Sequence, residues 1–277
     1  MRIVERLRER IYEAVNVVRA EEVGVAFSGG IDSSLLAKIC KDSGKKTTLL
    51  TVSFADQREI TISNQISKRM ELQIVQEVVS LEDLNQNLKK VLSIIEYERI
   101  AHLENCVCFY HVFKLASEHG VNIVLSANGM DELFCGYHRY REYFTVSKES
   151  LSDLMSNLVQ VAKKDKEEIE KIGDLFGIRY LCPFLSENFI DFARKIPMSL
   201  KIKNDDDDLR KHVLREVALN VGVPRSAAMR PKKAFQYSSG MHRSIIKLAK
   251  SQGFTKMKAK HAGYHSEMEA YIENLKP

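Results

Sequence analysis

One stretch of this chain already carries recognisable chemistry: Ser28-Gly29-Gly30-Ile31-Asp32-Ser33-Ser34. Gly29 and Gly30 allow a tight turn and a close backbone approach to a ligand. The hydroxyls of Ser28, Ser33 and Ser34, with the free N–H groups of a helix start, make an anion cradle. Asp32 inside that cradle is repelled by phosphate unless a cation stands between them, which implies Mg²⁺. Neither GxxxxGK(S/T) nor GxGxxG is present, so two common nucleotide loops are excluded.

A second acidic site follows in Ser126-Ala127-Asn128-Gly129-Met130-Asp131-Glu132. If both segments end neighbouring strands of an open parallel sheet, they lie together where ligands bind. Asp131 then faces Asp32 across the anion and shares its magnesium. Cations gather later in the chain, at Arg210, Lys211 and Arg215 and in Arg230-Pro231-Lys232-Lys233. A fixed cation lowers a barrier at which negative charge builds on phosphorus or on a tetrahedral carbon. The plain alternatives are a solvated helix start for Asp131-Glu132 and a basic surface for the Lys/Arg stretch.

The elements that must position these residues are legible from periodicity. Ile3, Leu7, Ile11, Ala14, Val15 and Val18 recur at helical spacing, so 3–19 is an amphipathic helix. Short apolar strands are expected at Val23–Phe27, Thr47–Val52, Ile74–Val79 and Val121–Ser126. Helices are expected at Asp32–Cys40, 57–70, 81–98 and 105–119. This alternation predicts an α/β fold: a Rossmann-like parallel sheet of about five strands with flanking helices. After about residue 145 the pattern turns helical, at 151–171, 187–195, 208–221 and 240–250. The expected divisions are an N-terminal helix packed on the core (1–20), a nucleotide-binding core (21–145) and a helical part completing the domain (146–277). Asp205–Asp208, four consecutive aspartates, reads as an exposed turn.

The string SGGIDSS after a buried strand resembles the pyrophosphate loop of the N-type ATP pyrophosphatases, whose fold is adenine nucleotide alpha-hydrolase-like. Within that group, Ser126, Gly129, Asp131, Glu132, Leu133, Phe134, Gly136 and Tyr137 resemble the SGEGADELFGGY segment of the asparagine synthetase family. Cys182-Pro183-Phe184-Leu185 is similar to its PFLD signature, and the likeness runs from about residue 4 to residue 245. The resemblance implies ATP and Mg²⁺, the metal held by Asp32 and Asp131. It implies nucleotide contacts at Ser28, Gly29, Gly30, Asp32, Ser33, Ser34, Val52, Ser126, Ala127 and Gly129, with adenine near Val52-Ser53-Phe54. It also implies catalytic roles for Lys232, Asp131, Asn128 and Arg230. The implied reaction is ATP-dependent: a carboxylate, aspartate by default, becomes an acyl-adenylate with release of pyrophosphate, and an amide forms with ammonia or another amine.

The departures fall on the acceptor side. The family glutamate of GEG is Asn128, which cannot act as a base, though its amide can orient a group. Ala127 replaces a glycine, Ser186 replaces the PFLD aspartate, and Arg179 and Leu181 stand where an acid and a base are usual. No cysteine nucleophile for glutamine hydrolysis can be placed, since residue 2 is Arg and the core strand begins by residue 23. Nitrogen then comes from free ammonia, a separate glutaminase subunit or the substrate itself. Two other readings stay open, a tRNA-modifying pyrophosphatase-loop enzyme and a non-catalytic nucleotide-binding regulator.

Composition sets the outer limits. A chain of 277 residues with net charge +5 is too weakly basic to argue for nucleic acid by itself. No stretch reads as a signal peptide or membrane span, so the expected compartment is the cytoplasm, with five cysteines reduced. Cys106-x-Cys108 lies in an amphipathic helix and reads as core; His261 and His265 lack a third ligand and read as a solvated tail. A homodimer is compatible with all of this.

Overall fold

The computed structural model describes residues 2–54, 57–232 and 235–276. Lys233 and Ala234, part of the expected basic segment, lie outside the described residues. The chain opens with α1 (Ile3–Asn16), whose Leu7, Ile11 and Val15 are fully buried at four-residue spacing. Burying each such side chain contributes roughly 1.5–3 kcal/mol, and this holds the helix against the rest of the fold. Then β1 (Glu22–Ala26), α2 (Ile31–Asp42), β2 (Lys46–Phe54), α3 (Gln57–Met70) and β3 (Gln73–Val79) follow in strict alternation. α4 (Leu81–Leu92) and α5 (Ile100–Glu118) lead to β4 (Ile123–Leu125).

The second half contributes α6 (Met130–Leu133), α7 (Arg139–Phe144), the long α8 (Lys148–Asp174), β5 (Arg179–Leu181) and α9 (Glu187–Arg194). It ends with α10 (His212–Asn220), α11 (Arg225–Ala228), α12 (Phe235–Ser238), α13 (Met241–Ser251), α14 (Lys256–His261) and α15 (Glu267–Leu275). The five strands pair parallel throughout, in the order β3-β2-β1-β4-β5. β2 is buried at every residue after Lys46, as a strand covered on both faces must be. One apolar cluster, under α1, α2 and α10, includes Val25 and Leu49. The other, under α4, α5 and α13, includes Leu50, Val52 and Phe54.

The α/β expectation holds, and the differences have local causes. The fifth strand, β5, comes from the part expected to be helical. Its three residues are too few to show a period. The helix expected over 81–98 stops at Leu92, because the connection is tied to α8. Glu96 donates its N–H to Glu168, and Arg99 grips both oxygens of Asp165 at 2.8 and 2.9 Å. The helix expected over 208–221 starts only at His212. Asp207 takes the N–H groups of Lys203, Leu209 and Arg210, and Arg210 and Lys211 adopt left-handed φ of 45° and 56°. Asp205, Asp206 and Asp208 are exposed as expected, but Asp207 is the knot of its loop, and those donors with His212 hold its carboxyl down at about 2 despite burial. Among the described residues no helix is long and apolar enough to cross a membrane.

Among the described residues, the buried cations Arg215 and Lys201 have no carboxylate partner. Arg215 reaches the carbonyls of Leu209 and Arg210 with Nε, of Ala228 and Arg230 with Nη1, and of Leu209 again with Nη2. It thus staples the loop before α10 to the segment after α11. Lys201, fully buried, donates to the Ala193 carbonyl at 2.7 Å and lies 5.7 Å from the Phe134 ring centre. Burial pushes its ammonium from 10.5 down to about 8, only partly opposed by Cys135.

Arg215→Met strands the bonded carbonyls, and urea unfolding should show a loss of roughly 2–4 kcal/mol; Arg215→Lys should recover only part, since an ammonium cannot span both segments. For Lys201 the folded value lies below the unfolded one, so its burial destabilises the fold below about 8 and that cost fades as pH rises toward 10.5. Lys201→Met should therefore be more stable than the native chain near neutral pH by about 1–3 kcal/mol, with the gap closing in unfolding curves taken near pH 10.

Candidate active site

The strand order reverses at β1, whose neighbours are β2 and β4. This is the point at which open parallel sheets leave a crevice at their carboxyl edge. The loop after β1 is Phe27–Gly30 and the loop after β4 is Ser126–Gly129, so the two sequence motifs meet there. Gly29 takes φ +65°, a left-handed turn that a side chain would strain. Ser33 Oγ accepts the Ser28 N–H and lies 3.3 Å from both Ser28 Oγ and the Gly30 carbonyl, so two of the three expected hydroxyls brace the loop itself. Ser34 Oγ is fully buried with no partner among the described residues, as is Ser63 Oγ on α3, which lies beneath Gly29. Ser63 carries no sequence signal.

Asp32 opens α2, and Asp131 lies in α6. Both converge on Lys211 Nζ, at 2.6 Å for Asp32 Oδ2 and 2.5 Å for Asp131 Oδ1. Lys232 pairs with the other oxygen of Asp131. Lys211 is fully buried, whereas Lys232 keeps about a fifth of its side chain exposed. Burial alone raises the Asp131 carboxyl, but the two lysines outweigh it and pull it far below the usual carboxylate range. Lys232 is raised in turn: burial opposes its charge, and Asp131 and Asp32 restore it.

Gly136 makes this approach possible, for a methyl group there would overlap the Asp131 carboxylate and stand 2.5 Å from Lys211 Cε. Glu132 is not solvated. It is buried, accepts Tyr137 OH at 2.5 Å and the Gly129 N–H at 3.0 Å, and is raised by burial and by Asp131. Its work is to shape the loop that carries Asp131.

Arg230 donates to the Ser28 carbonyl at 3.2 Å and so fastens its own segment to the phosphate loop. A narrow cavity of about 30 Å³ lies between Ser28, Gly30, Asp32, Arg230, Lys232 and Ser238. A larger one, of about 560 Å³, lies away from these acids between α1, α8 and α9; its charges include the pairs Arg10–Glu13 and Lys163–Glu187. The structure therefore joins Ser28, Gly29, Gly30, Asp32, Asp131, Arg230 and Lys232, and adds Lys211 at the centre. The sequence offers Lys211 only with Arg215 and Arg230, as cations that could neutralise phosphate or orient Lys232; its central place depends on the left-handed backbone beneath it.

The remaining expected residues sit around this centre. Val52 is buried inside β2 under α5 and does not join the acid–lysine cluster. Ser53 is also fully buried, and the Phe54 N–H donates to the Ser239 carbonyl at 2.7 Å. Ser126 Oγ lies 2.6 Å from Tyr180 OH and 3.3 Å from Cys182 Sγ, and Asn128 Nδ2 donates to Tyr180 OH at 3.1 Å. The Ala127 carbonyl accepts the Met130 N–H at the start of α6. Pro183–Leu185 form a short 3₁₀ turn, and Arg179 points to solvent.

Asp32 Oδ1 is buried without a hydrogen-bond donor among the described residues, which suits a hard cation completed by phosphate and water oxygens. Among the described residues no three His, Cys, Asp or Glu side chains gather as a metal site. All five cysteines are buried and unpaired, and burial pushes the Cys106 and Cys108 thiols far up, away from reactivity. His261 ends α14 and His265 lies beyond it, so they share no helix.

A family profile for asparagine synthase matches residues 6–171 and 157–273. A putative glutamine-hydrolysing asparagine synthetase 1 of Methanocaldococcus jannaschii is 29% identical over 267 residues, covering 85% of this chain and 49% of that protein. Asparagine synthetase B of Escherichia coli is 23% identical over 256 residues, covering 87% of this chain and 45% of that protein. Asparagine synthetase 1 of Bacillus subtilis is 30% identical over a shorter stretch of 145 residues. The chain thus spans about half the length of the curated relatives it matches. With the profile covering nearly all of the chain and two acids meeting two lysines at the sheet's switch point, the chain belongs to the asparagine synthase family.

Proposed function

We propose that this chain is an ATP-dependent carbon–nitrogen ligase that activates a carboxylate and converts it to an amide. The observation that carries the reading is the convergence of Asp32 and Asp131 on Lys211 and Lys232 beside an anion-shaped loop. Aspartate is the acceptor suggested by the names of the relatives, and ammonia or another amine is the nucleophile. Nitrogen arrives as ammonia, either free or released by glutamine hydrolysis.

In this reading the Ser28–Ser34 loop takes the pyrophosphate of ATP on its N–H groups and hydroxyls. Asp32 and Asp131 would hold Mg²⁺, which when bound neutralises the departing pyrophosphate. A carboxylate oxygen of the acceptor forms a bond to the α-phosphorus as the bond to the bridging oxygen breaks. Pyrophosphate leaves with that electron pair, and Lys232 and Lys211 stabilise the charge that builds. The amine then attacks the acyl carbon, the bond to AMP breaks, and the nitrogen loses a proton.

The cavity at the loop measures about 30 Å³, far below the volume of a triphosphate, and Lys232 closes it through Asp131. In this reading phosphate takes Lys232 over from Asp131. The buried, unreactive cysteines argue against the tRNA-thiolating alternative.

The test is pyrophosphate and AMP release from ATP with a panel of carboxylic acids and ammonia. Lys232→Ala should slow release by roughly 100-fold or more, the scale for losing a preorganised charge in a closed site. Equal rates for the two proteins would remove Lys232 from the mechanism. Tight ATP binding with no AMP under any acid would favour the non-catalytic regulator instead.

A further inference from the structure

One wall of the narrow cavity at the phosphate loop comes from neither the loop nor the Arg230–Lys232 segment. It is Ser238, the last residue of α12, and it is buried. Its hydroxyl donates to the Phe235 carbonyl at 3.1 Å. That carbonyl also accepts the Ser239 N–H, at 2.8 Å. The hydroxyl therefore makes the second of two bonds, and turning Ser238 Oγ toward another acceptor leaves no carbonyl orphaned. A donor that can be redirected at so little cost, in the wall of a cavity shaped for an anion, is available to a ligand.

The backbone that carries this hydroxyl is tied down. The Ser239 carbonyl accepts the Phe54 N–H at 2.7 Å and the Ser53 hydroxyl at 3.4 Å. Ser244 Oγ, on α13, donates to the Phe54 carbonyl at 3.1 Å. Between Ser239 and α13, Gly240 takes φ +82°, a left-handed turn that suits glycine. Ser53 and Phe54 end β2, the neighbour of β1, so this segment is fastened to the edge of the sheet that also carries the phosphate loop. Ser238 is thus placed against the loop by β2, independently of the pairing of Lys232 with Asp131.

Resting on the ligase reading above, we propose that Ser238 is a further phosphate-binding residue: with pyrophosphate on the Ser28–Ser34 loop, Ser238 Oγ leaves the Phe235 carbonyl and donates its hydrogen bond to a pyrophosphate oxygen. Ser244 is a positioning residue for it, acting through Phe54 and Ser239. A hydroxyl suits this wall, because it meets a phosphate oxygen without adding charge to a cluster that already holds two acids and two lysines. The bond goes to the pyrophosphate part of the nucleotide, so it is made alike before and after that part leaves the α-phosphorus. Such uniform binding tightens the hold on substrate and product and does not speed the chemical step. AMP, which lacks the pyrophosphate, does not feel it.

Titration calorimetry with inorganic pyrophosphate, ATP and AMP, each with magnesium, tests this on the native chain, Ser238→Ala, Ser238→Thr and Ser244→Ala. Ser238→Ala should weaken pyrophosphate and ATP about tenfold, the scale of one hydrogen bond to a charged group, and leave AMP unchanged. Ser238→Thr keeps the hydroxyl and should recover most of the loss. Ser244→Ala should weaken pyrophosphate by a smaller factor and add little on top of Ser238→Ala, since both act through one bond. In turnover, Ser238→Ala should raise the KM for ATP with kcat unchanged. Full pyrophosphate affinity in Ser238→Ala, or an equal loss for AMP, would overturn the proposal. Should Ser238→Ala fold poorly by its thermal midpoint, Ser238→Cys, close in size and a weak donor, decides by the same comparison. A native chain that binds neither pyrophosphate nor ATP would sink the ligase reading itself, and this proposal with it.

Discussion

Two carboxylates held a few ångströms from one buried ammonium are the constraint around which this fold is arranged. Asp32 and Asp131 come from loops after adjacent strands, and without Lys211 between them they would repel across a desiccated gap. Removing one member of such a buried set is far more damaging than never having built it. The neighbouring structure accordingly serves to keep Lys211 in place. Gly136 leaves room for its chain, Asp207 ties down the loop behind it, and Arg215 staples that loop to the segment bearing Arg230 and Lys232. The left-handed backbone at Arg210 and Lys211 is strain that this bracing sustains.

Lys201 makes the comparison sharp, because it is as buried as Lys211 yet its neighbours among the described residues are a carbonyl, a thioether, an aromatic face and the Cys135 thiol. Burial drives its ammonium down toward neutrality, as it must when no anion opposes desolvation. Lys211 sits instead between two acids, and Asp131 reports the strength of that arrangement by its depressed carboxyl. Two lysines of equal burial therefore sit among opposite partners, and those of Lys211 lie about 180 and 80 residues away in the sequence.

That separation explains what could be read beforehand. The strands and helices of the first half follow from periodicity because each buries its own apolar stripe or face. The phosphate loop and the Asp131 loop follow from local chemistry plus the rule that neighbouring strand ends share a crevice. Lys232 came from a resemblance, and Lys211 was only one cation among several. β5 is too short to have a period, and Tyr180 within it drew no reading from the sequence. The start of α10 was misplaced because Asp207 caps a turn by tertiary bonds that a run of four aspartates disguises. In each miss the deciding contact is distant in sequence, or depends on backbone that only the assembled fold makes tolerable.

The loop after β4 joins two electrically different neighbourhoods. On one side Asp131, with Asp32, meets the fixed charges of Lys211 and Lys232. On the other side, Asn128, Tyr180, Ser126 and Cys182 form a chain of neutral dipoles. Neutral dipoles aligned in advance cost less to bury than a second set of ions, and they do not compete with phosphate for the lysines. An amide at position 128 brings no charge to the loop that carries Asp131, so the pairing of Asp131 with Lys211 and Lys232 meets no competing anion from its own loop.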